Sequence, residues 1–436
     1  MYDKSLPRVL AISLSTWRRD SGIHTQTDLF KFWDPAKVSQ IYLKSDLPDT
    51  YVCSRFFQIS ENAIIKSVIN RRPVGREVKN KETANTEELK AMNSEKALYK
   101  RAHKKKNWFL TVVREAVWRA GKWKTKALSD FVTDVNPDVF FVPIYPTVYT
   151  GWIQLHIIKK FKRPYVCYLA DDNYSYSACG WNPWAWLHRW MLRKVVRKLA
   201  TNCNEMFTIT QIEGDETDRD FGTKSIVLTK GIDYTNLQFE NKPPHTPIKM
   251  VYTGNLLIGR AASLVEISKA MGNINKDKTK IVFDIYTPTE LDKKTSAILN
   301  QNGCVLHQPV SKEQVKVLQQ GADIVVFVES LEKKHRFDAR LSFSTKLTDY
   351  FASGKCIFAI GDKEIAPIRY LNQYECAVTC SDYGDVESCL DRLVSHPALI
   401  TEYGKRAFEI GRENHEESKV KETFISTLCR AACKKQ

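Results

Sequence analysis

The regular alternation of short apolar runs with helical segments is the feature that most constrains the fold. Runs such as residues 8–14, 138–144 and 323–328 are rich in β-branched and aromatic residues, as buried strands of a parallel sheet are. Segments of helical length separate them, so that strand, helix and strand follow one another as in βαβ units. The pattern stops at residues 236–247, which are polar and contain three prolines, and then starts again. The sequence therefore predicts an α/β protein of two Rossmann-like domains facing a cleft.

The length of the chain supports this division. With 436 residues the chain is too long for one ordinary hydrophobic core. We expect an N-terminal domain over residues 1–235, a C-terminal domain over 236–410, and a final helix over 411–436 that could pack back on the N-terminal domain. Residues 70–126 break the alternation because they are polar and highly charged, and we interpret them as a basic helical insertion in the first domain.

The formal net charge of +16 predicts a partner that carries phosphate groups. Residues 96–126 contain eleven lysines and arginines against one acid, Glu115, and these are interleaved with tryptophan and aliphatic residues. Residues 185–199 have a similar composition. Basic amphipathic helices of this kind suit an anionic membrane surface, with an ordinary solvated surface as the simpler alternative. Nucleic acid is not expected as a partner, since the charge is confined to two helices and no nucleic-acid-binding module is recognisable.

The N-terminal sequence and the cysteines bear on the compartment. The first residues lack the order of a signal peptide, and no apolar stretch reaches the roughly 18 residues of a membrane-spanning helix. We therefore expect a cytoplasmic protein that is peripheral at the inner face of the cell membrane. The eleven cysteines lack the paired C-x-x-C spacing of a structural zinc site. They are interpreted as reduced, mostly buried side chains, and no bound metal is expected.

The most informative segment for chemistry is residues 341–357. Ser344 and Thr345 open a predicted helix, whose first N–H groups and dipole favour an anion. Lys346 adds a cation beside them, and Asp349 follows about one turn later, where its carboxylate could accept hydrogen bonds from ribose hydroxyls. Together these residues predict a nucleoside diphosphate site. Taken singly, Lys346 could be a solvated lysine and Asp349 an ordinary exposed helix acid.

This segment also resembles a known family. Its pattern is Ser344-Thr345-Lys346-Leu347-x-Asp349-Tyr350-x-Ala352-x-Gly354-Lys355. It resembles the donor-site segment of the family 4-like glycosyltransferases of GT-B fold, of the type found in capsule, exopolysaccharide and lipopolysaccharide biosynthesis. The resemblance implies that Asp349 binds the nucleotide ribose. Many members carry a glutamate eight residues before this acid, whereas this chain has Leu341 there.

Weaker resemblances extend over most of the chain. Gly254 ends a strand that resembles the first strand of the family's C-terminal domain, whose glycine loop approaches the donor phosphates, and Arg260 stands where the family often has a phosphate-neutralising cation. Residues 230–233 resemble the turn between the domains. Asp171 ends a strand that resembles the central strand of the N-terminal domain, which often ends in an acid facing the acceptor. Gly22 lies in the first loop, which is expected to line the cleft although it has fewer glycines than many members.

The resemblance implies that a sugar is transferred from a nucleotide-diphosphate sugar to a lipid-linked or saccharide acceptor. It also implies retention at the anomeric carbon. Neither a metal nor a cofactor besides the donor is expected. Arg260, Lys346 and the amides of Ser344 and Thr345 would stabilise the leaving diphosphate. Asp171 would contact the acceptor or handle a proton, or alternatively would only cap the next helix. Two other functions stay open: a catalytically inactive partner protein of GT-B fold, and a nucleotide-sugar epimerase of the same fold.

Overall fold

A computed structural model describes residues 5–18, 25–80, 107–177, 179–335 and 338–434. By internal contacts the chain divides into two units. The first comprises Met1–Leu228 and Lys421–Gln436, and the second comprises Thr229–Val420. Each unit has its own core and is described by itself.

An eight-stranded sheet forms the centre of the first unit. Its strands are β1 (Val9–Ser13), β2 (Val38–Tyr42), β3 (Arg55–Gln58), β4 (Arg76–Val78), β5 (Val139–Pro143), β6 (Tyr165–Leu169), β7 (Glu205–Thr208) and β8 (Ser225–Val227). The order is β4-β3-β2-β1-β5-β6-β7-β8, and all neighbours are parallel except the antiparallel pair β3 and β4. The central strands are buried along their whole length, which explains their continuous apolar runs.

Seven α-helices accompany this sheet in the described part of residues 1–228. They are α1 (Thr25–Phe30), α2 (Glu61–Asn70), α3 (Trp108–Ala120), α4 (Lys126–Val135), α5 (Val148–Phe161), α6 (Pro183–Ala200) and α7 (Gln211–Phe221). The predicted helix over 185–199 falls inside α6.

The predicted basic helix over residues 96–126 differs from what the structure shows. Its first part, up to residue 106, lies outside the described residues. The remainder is helix α3, which stops at Gly121, where the backbone becomes extended. Trp118 and Trp123 explain the stop: both are buried, and the Trp123 indole donates a hydrogen bond to the Trp118 carbonyl at 3.0 Å, which holds the chain against the core. A side chain at Gly121 would also collide with Ile64 of α2.

Glu115, the one acid of that basic stretch, is buried and joins three helices. Its carboxylate accepts the N–H groups of Val148 and Tyr149, at 3.0 and 2.8 Å, at the start of α5. It also lies 3.1 Å from Nε2 of His188 on α6. An acid at a helix N-terminus satisfies N–H groups that have no partner within the helix. Its role is therefore structural.

The second unit contains a six-stranded parallel sheet. Its strands are β9 (Ile248–Thr253), β10 (Ile281–Tyr286), β11 (Cys304–His307), β12 (Ile324–Val328), β13 (Cys356–Ile360) and β14 (Val378–Cys380). Its helices are α8 (Arg260–Ile274), α9 (Lys293–Ile298), α10 (Lys312–Gly321), α11 (Thr345–Ser353), α12 (Ala366–Gln373), α13 (Val386–Ser395), α14 (Ala398–His415) and α15 (Glu417–Cys433). The strand order β11-β10-β9-β12-β13-β14 reverses direction between β9 and β12.

Helix α15 begins in the second unit, and its residues from Lys421 onward belong to the first. Phe424 is fully buried there. Its ring packs against four aromatic rings from separate parts of the first unit, with centroid distances of 5.0 to 5.9 Å; these belong to Phe30, Trp33, Phe141 and Phe207. Arg430 adds a bidentate ion pair with Glu205, at 2.8 and 3.2 Å. The C-terminal segment is thus part of the first core.

Two further properties concern the chain as a whole. All eleven cysteines are free, and seven of them are buried. Within the described residues, none of the helices combines the length and apolar character that crossing a membrane demands.

Candidate functional site

The sheet of the second unit has one position that favours ligand binding. In an open parallel sheet, ligands bind beyond the carboxyl ends of the strands where the strand order reverses, here between β9 and β12. Gly254 follows β9 directly, and Glu329 follows β12 directly. Helix α8 begins after the first loop, and α11 begins after the second. Two helix N-termini and two loops therefore supply the groups of this site.

Ser344 caps the N-terminus of α11. Its side chain accepts a hydrogen bond from the backbone N–H of Lys346 at 3.4 Å, and its carbonyl accepts one from Leu347 at 3.0 Å. Thr345 is the first helical residue, and the first turn contains no acid. The positive end of the helix dipole is thus not neutralised by its own side chains, which makes this helix start suitable for an anion.

The Lys346 ammonium lies against Gly254 and Tyr252. Its Nζ is 3.4 Å from the Tyr252 hydroxyl and 4.6 Å from the centre of that ring. Gly254 has a φ of +150°, and a Cβ there would collide with the end of the lysine side chain, so glycine leaves the space that the lysine fills. Burial, together with the nearby charge of Arg260, lowers the pKa of Lys346 to about 8.

Arg260, the first residue of α8, is held by two partners. It makes a bidentate ion pair with the Glu329 carboxylate, at 3.0 and 2.9 Å, and donates a third hydrogen bond to the side-chain oxygen of Asn255 at 2.9 Å. The Glu329 backbone is fixed in turn, because its carbonyl accepts a hydrogen bond from the buried Ser263 hydroxyl at 2.8 Å. This fork of contacts fixes the plane and the position of the guanidinium group.

The loop between β9 and α8 is conformationally strained. Ile258 has a φ of +60°, which is a rare conformation for a β-branched side chain, and its side chain is exposed. Gly259 follows with a φ of +74°, and a Cβ there would collide with the side chains of Ser330 and Glu332. Such strain is typical of loops whose backbone is shaped for binding rather than for stability.

Asp349 lies one turn into α11. Its carboxylate pairs with the Lys230 ammonium at 2.9 Å, and the Asp349 side chain remains 41% exposed. Lys230 opens the 230–233 turn, at the position where the resembling family has asparagine. The exposed part of the carboxylate is free to accept hydrogen bonds from a ligand, while the lysine holds it in place.

The structure thus brings five of the predicted site residues to one region: Gly254, Arg260, Ser344, Thr345 and Lys346. Asp349 lies one turn along the same helix. Leu341 is fully buried, so this position offers no side chain to a ligand. Gly22 lies outside the described residues.

Asp171 belongs to the first unit. It follows β6 and is exposed, and its carbonyl accepts the N–H of Asn173 at 2.6 Å. Its charge acts on Glu213, a buried residue at the start of α7. Burial raises the pKa of Glu213 to about 8, and the neighbouring Asp171 and Asp172 charges add to the increase. Asp171 is thus an exposed carboxylate next to a buried acid whose pKa is raised.

Sequence reasoning missed Glu329, Asn255 and Tyr252. The signal for Glu329 was available, because it is an acid that directly follows a fully buried strand. Asn255 and Tyr252 flank the glycine loop that was already singled out. What was not visible is that Glu329 pairs with a residue 69 positions earlier in the chain.

Comparisons with known proteins give similarity in structure and none in sequence. No protein-family model matches the chain, and no curated protein matches it. The structure of Anabaena HepE in complex with UDP is similar with a TM-score of 0.62 and 8% identity, over 97% of this chain and 99% of that chain. TarM gives a TM-score of 0.58 and 10% identity, over 97% and 98%. The UDP-forming α,α-trehalose-phosphate synthase of Burkholderia vietnamiensis gives 0.57 and 10%, over 97% and 99%.

These neighbours are GT-B glycosyltransferases, and the similarity extends over nearly the whole chain. The predicted fold class is therefore confirmed: the chain consists of two α/β units with parallel sheets, as in the GT-B fold. Identities of 8 to 10% establish the fold alone.

Proposed function

We propose that this protein is a glycosyltransferase that uses a nucleotide-diphosphate sugar, with UDP as the nucleotide. The observation that carries the proposal is the convergence of two helix N-termini and two cations, Arg260 and Lys346, at the reversal point of the second sheet, with Asp349 one turn beyond. Helix starts and cations together suit a diphosphate, and a carboxylate one helical turn further on suits the ribose. The fold neighbours add support, since one was solved with UDP and another is described as UDP-forming.

The roles of the residues follow from their chemistry. When the bond between sugar and diphosphate breaks, negative charge accumulates on the diphosphate, and prearranged donors lower the energy of that state. Arg260 is positioned for this by Glu329 and Asn255. Lys346 takes up a proton fully when an anion approaches, and the amides at the start of α11 add hydrogen bonds that need no rearrangement.

The finer assignments are also proposals. We propose a lipid-linked or saccharide acceptor in surface polysaccharide synthesis, retention at the anomeric carbon, no need for a metal or further cofactor, and a cytoplasmic, peripheral location. Asp171 is our proposed contact to the acceptor, because it is the exposed acid after a central strand of the first unit. Lys96–Lys126 and Ala185–Leu199 are the proposed membrane-facing ranges.

One observation keeps a second candidate function open. Leu341 is buried at the position where many members of the resembling family have a glutamate, which would fit an inactive GT-B-like partner that binds nucleotide without turning it over. Release of UDP from a panel of UDP-sugars, measured with and without saccharide or lipid-linked acceptors, separates the two. Binding of UDP-sugars with no release under any condition would favour the partner protein.

Asp349→Asn is expected to weaken UDP binding about tenfold to a hundredfold, because a carboxylate can accept from both ribose hydroxyls whereas an amide offers one acceptor. Isothermal titration with UDP and with 2′-deoxy-UDP measures this. Wild type should discriminate between the two ligands, and the variant should lose most of that discrimination. The matched control is Asp391→Asn, an exposed aspartate on α13 of the same unit. Equal discrimination in Asp349→Asn and wild type would contradict the ribose contact.

The affinity for UDP is expected to fall as the pH rises through the pKa of Lys346. Lys346 is protonated below pH 8, and an anion binds better to the protonated form. The dissociation constant should therefore rise about tenfold between pH 7 and 9, since one proton is linked to binding. Lys346→Arg stays charged over this range and should give a nearly flat profile. An unchanged slope in that variant would assign the titration to another group.

A further inference from the structure

The outward face of α6 has an unusual composition. All 18 residues of this helix are described, and none of them is an acid. Its exposed side chains after Pro183 are three tryptophans and a leucine in the first half and three cations in the second half. They are Trp184, Trp186, Leu187, Trp190, Lys194, Arg197 and Lys198. Trp181, just before the helix, is also fully exposed.

Two neighbouring helices repeat this arrangement. On α3, Phe109, Leu110 and Val113 are exposed and are followed by the exposed Arg119 and, beyond the helix, by Lys122 and Lys124. On α2, Ile65, Val68 and Ile69 are exposed and are followed by Arg71 and Arg72. Eleven of the seventeen large apolar side chains that are exposed in the described part of the chain lie on these helices or at Trp181. Such clustering marks an interaction surface rather than chance exposure.

The three helices are packed together within the first unit. Phe109 of α3 contacts Trp184 of α6, with ring centroids 5.0 Å apart. Arg114 of α3 pairs with Glu61 of α2, with both carboxylate oxygens 2.6 Å from the guanidinium. These contacts place the apolar beginnings of α3 and α6 side by side. We call the exposed residues of α2, α3 and α6, with Trp181, the aromatic-basic face.

The two acids of α2, α3 and α6 do not repel an anionic partner from the aromatic-basic face. Glu61 is engaged by Arg114, and Glu115 is buried under the start of α5. The helices contain no other acid. Lys194 lies 3.6 Å over the Trp190 ring, so cation and indole already stack at the boundary between the apolar and basic halves.

We infer that the aromatic-basic face docks the first unit on a membrane of anionic phospholipid. Indole rings favour the headgroup layer, aliphatic side chains reach the acyl chains below it, and lysine and arginine pair with lipid phosphates. The segregation of apolar from basic residues favours a bilayer over single-stranded nucleic acid, because single strands are bound in a basic groove whose apolar contacts are mainly stacking aromatic rings. Here more than half of the exposed apolar side chains are aliphatic, and they form patches of their own. This inference rests on the peripheral location proposed above and specifies its surface and lipid class, but it does not depend on the transfer of a sugar.

Vesicle co-sedimentation tests the inference directly. The full chain should bind vesicles of phosphatidylcholine with 30% phosphatidylglycerol, and bind pure phosphatidylcholine at least tenfold more weakly. Replacing Lys194, Arg197 and Lys198 by glutamine should weaken binding about a hundredfold, because each cation near the surface contributes roughly a fivefold gain. Replacing Lys276, Lys312 and Lys316 by glutamine removes the same charge from exposed positions of the second unit and should have little effect.

The apolar half has its own test. Trp186→Ser combined with Trp190→Ser should weaken vesicle binding at least tenfold, and vesicles of brominated lipid should quench wild-type tryptophan fluorescence more than that of the double variant. Val317→Ser, at an exposed site of the second unit, is the control. UDP binding should be the same in all of these proteins. A missing effect on vesicle binding would therefore count against the membrane surface alone, whereas a lack of UDP binding in wild type would count against the proposed function.

Three outcomes would overturn the inference. Vesicle binding that is equal in wild type and in both sets of face variants would mean that another surface is responsible. Binding to single-stranded RNA, lost in these variants and without any vesicle binding, would assign the face to nucleic acid. Sedimentation as a dimer that the variants convert to a monomer, again without vesicle binding, would assign it to a second copy of the chain.

Discussion

Lys346→Met is expected to bind UDP about a hundredfold more weakly than wild type at pH 7, while the ligand-free protein becomes no less stable. The loss follows from removing a charge-assisted contact to the diphosphate, which is worth about 2 to 3 kcal/mol. The retained stability follows from the position of the side chain, because burial already disfavours the charged form of Lys346, and an unbranched apolar side chain suits the space between Tyr252 and Gly254. Isothermal titration and thermal unfolding with and without UDP measure the two effects.

Lys355→Met serves as the control for Lys346→Met. Lys355 follows Gly354, the C-cap of the same helix, and is also partly buried, but it lies away from the helix start. This variant should keep the full thermal shift that UDP produces in wild type. If Lys346→Met kept UDP affinity within about threefold of wild type, the start of α11 would not be the diphosphate site.

Arg260→Met is expected to destabilise the second unit by about 3 kcal/mol, because the largely buried Glu329 loses its bidentate partner. Adding Glu329→Gln to Arg260→Met should restore most of this loss, since no uncompensated carboxylate remains. Both proteins should lose most of their UDP affinity, because the guanidinium is gone in both. Stability and binding would thus separate in the double variant, which a purely structural role of Arg260 would not produce.

The stability of the Arg260 variants has to be measured on the second unit separately from the first. All ten tryptophans precede residue 191, so tryptophan fluorescence follows the first unit only. Hydrogen exchange at the amides of β9 and β12 in increasing denaturant follows the second. Should Arg260→Met and the double variant prove equally unstable, the ion pair would not be the source of the loss, and the packing of the arginine stem would be.

The parts of the structure that depend on neighbouring residues were predictable. The alternation of fully buried strands with helices gave the α/β fold class, because strands buried on both faces are continuously apolar. The helix start at Ser344 was equally accessible, since a serine cap and the following lysine lie within three residues of each other. Such features depend only on residues that lie close together in the sequence.

The parts that depend on strand order were not predictable. Glu329 meets Arg260 only because β12 inserts next to β9, and nothing local to either residue encodes this neighbour relation. Lys230 and Asp349, 119 residues apart, are paired for the same kind of reason. The early end of α3 at Gly121 also escaped prediction, because it is caused by two tryptophans entering a core whose other members come from distant segments.

The position of Phe424 has a consequence for synthesis on the ribosome. The hydrophobic centre of the first unit is incomplete until this ring occupies the space between Phe30, Trp33, Phe141 and Phe207. A void of that size costs about 3 to 5 kcal/mol, a large share of the stability of an ordinary domain. The half of the protein that is translated first can therefore reach its final stability only after the half translated second has emerged.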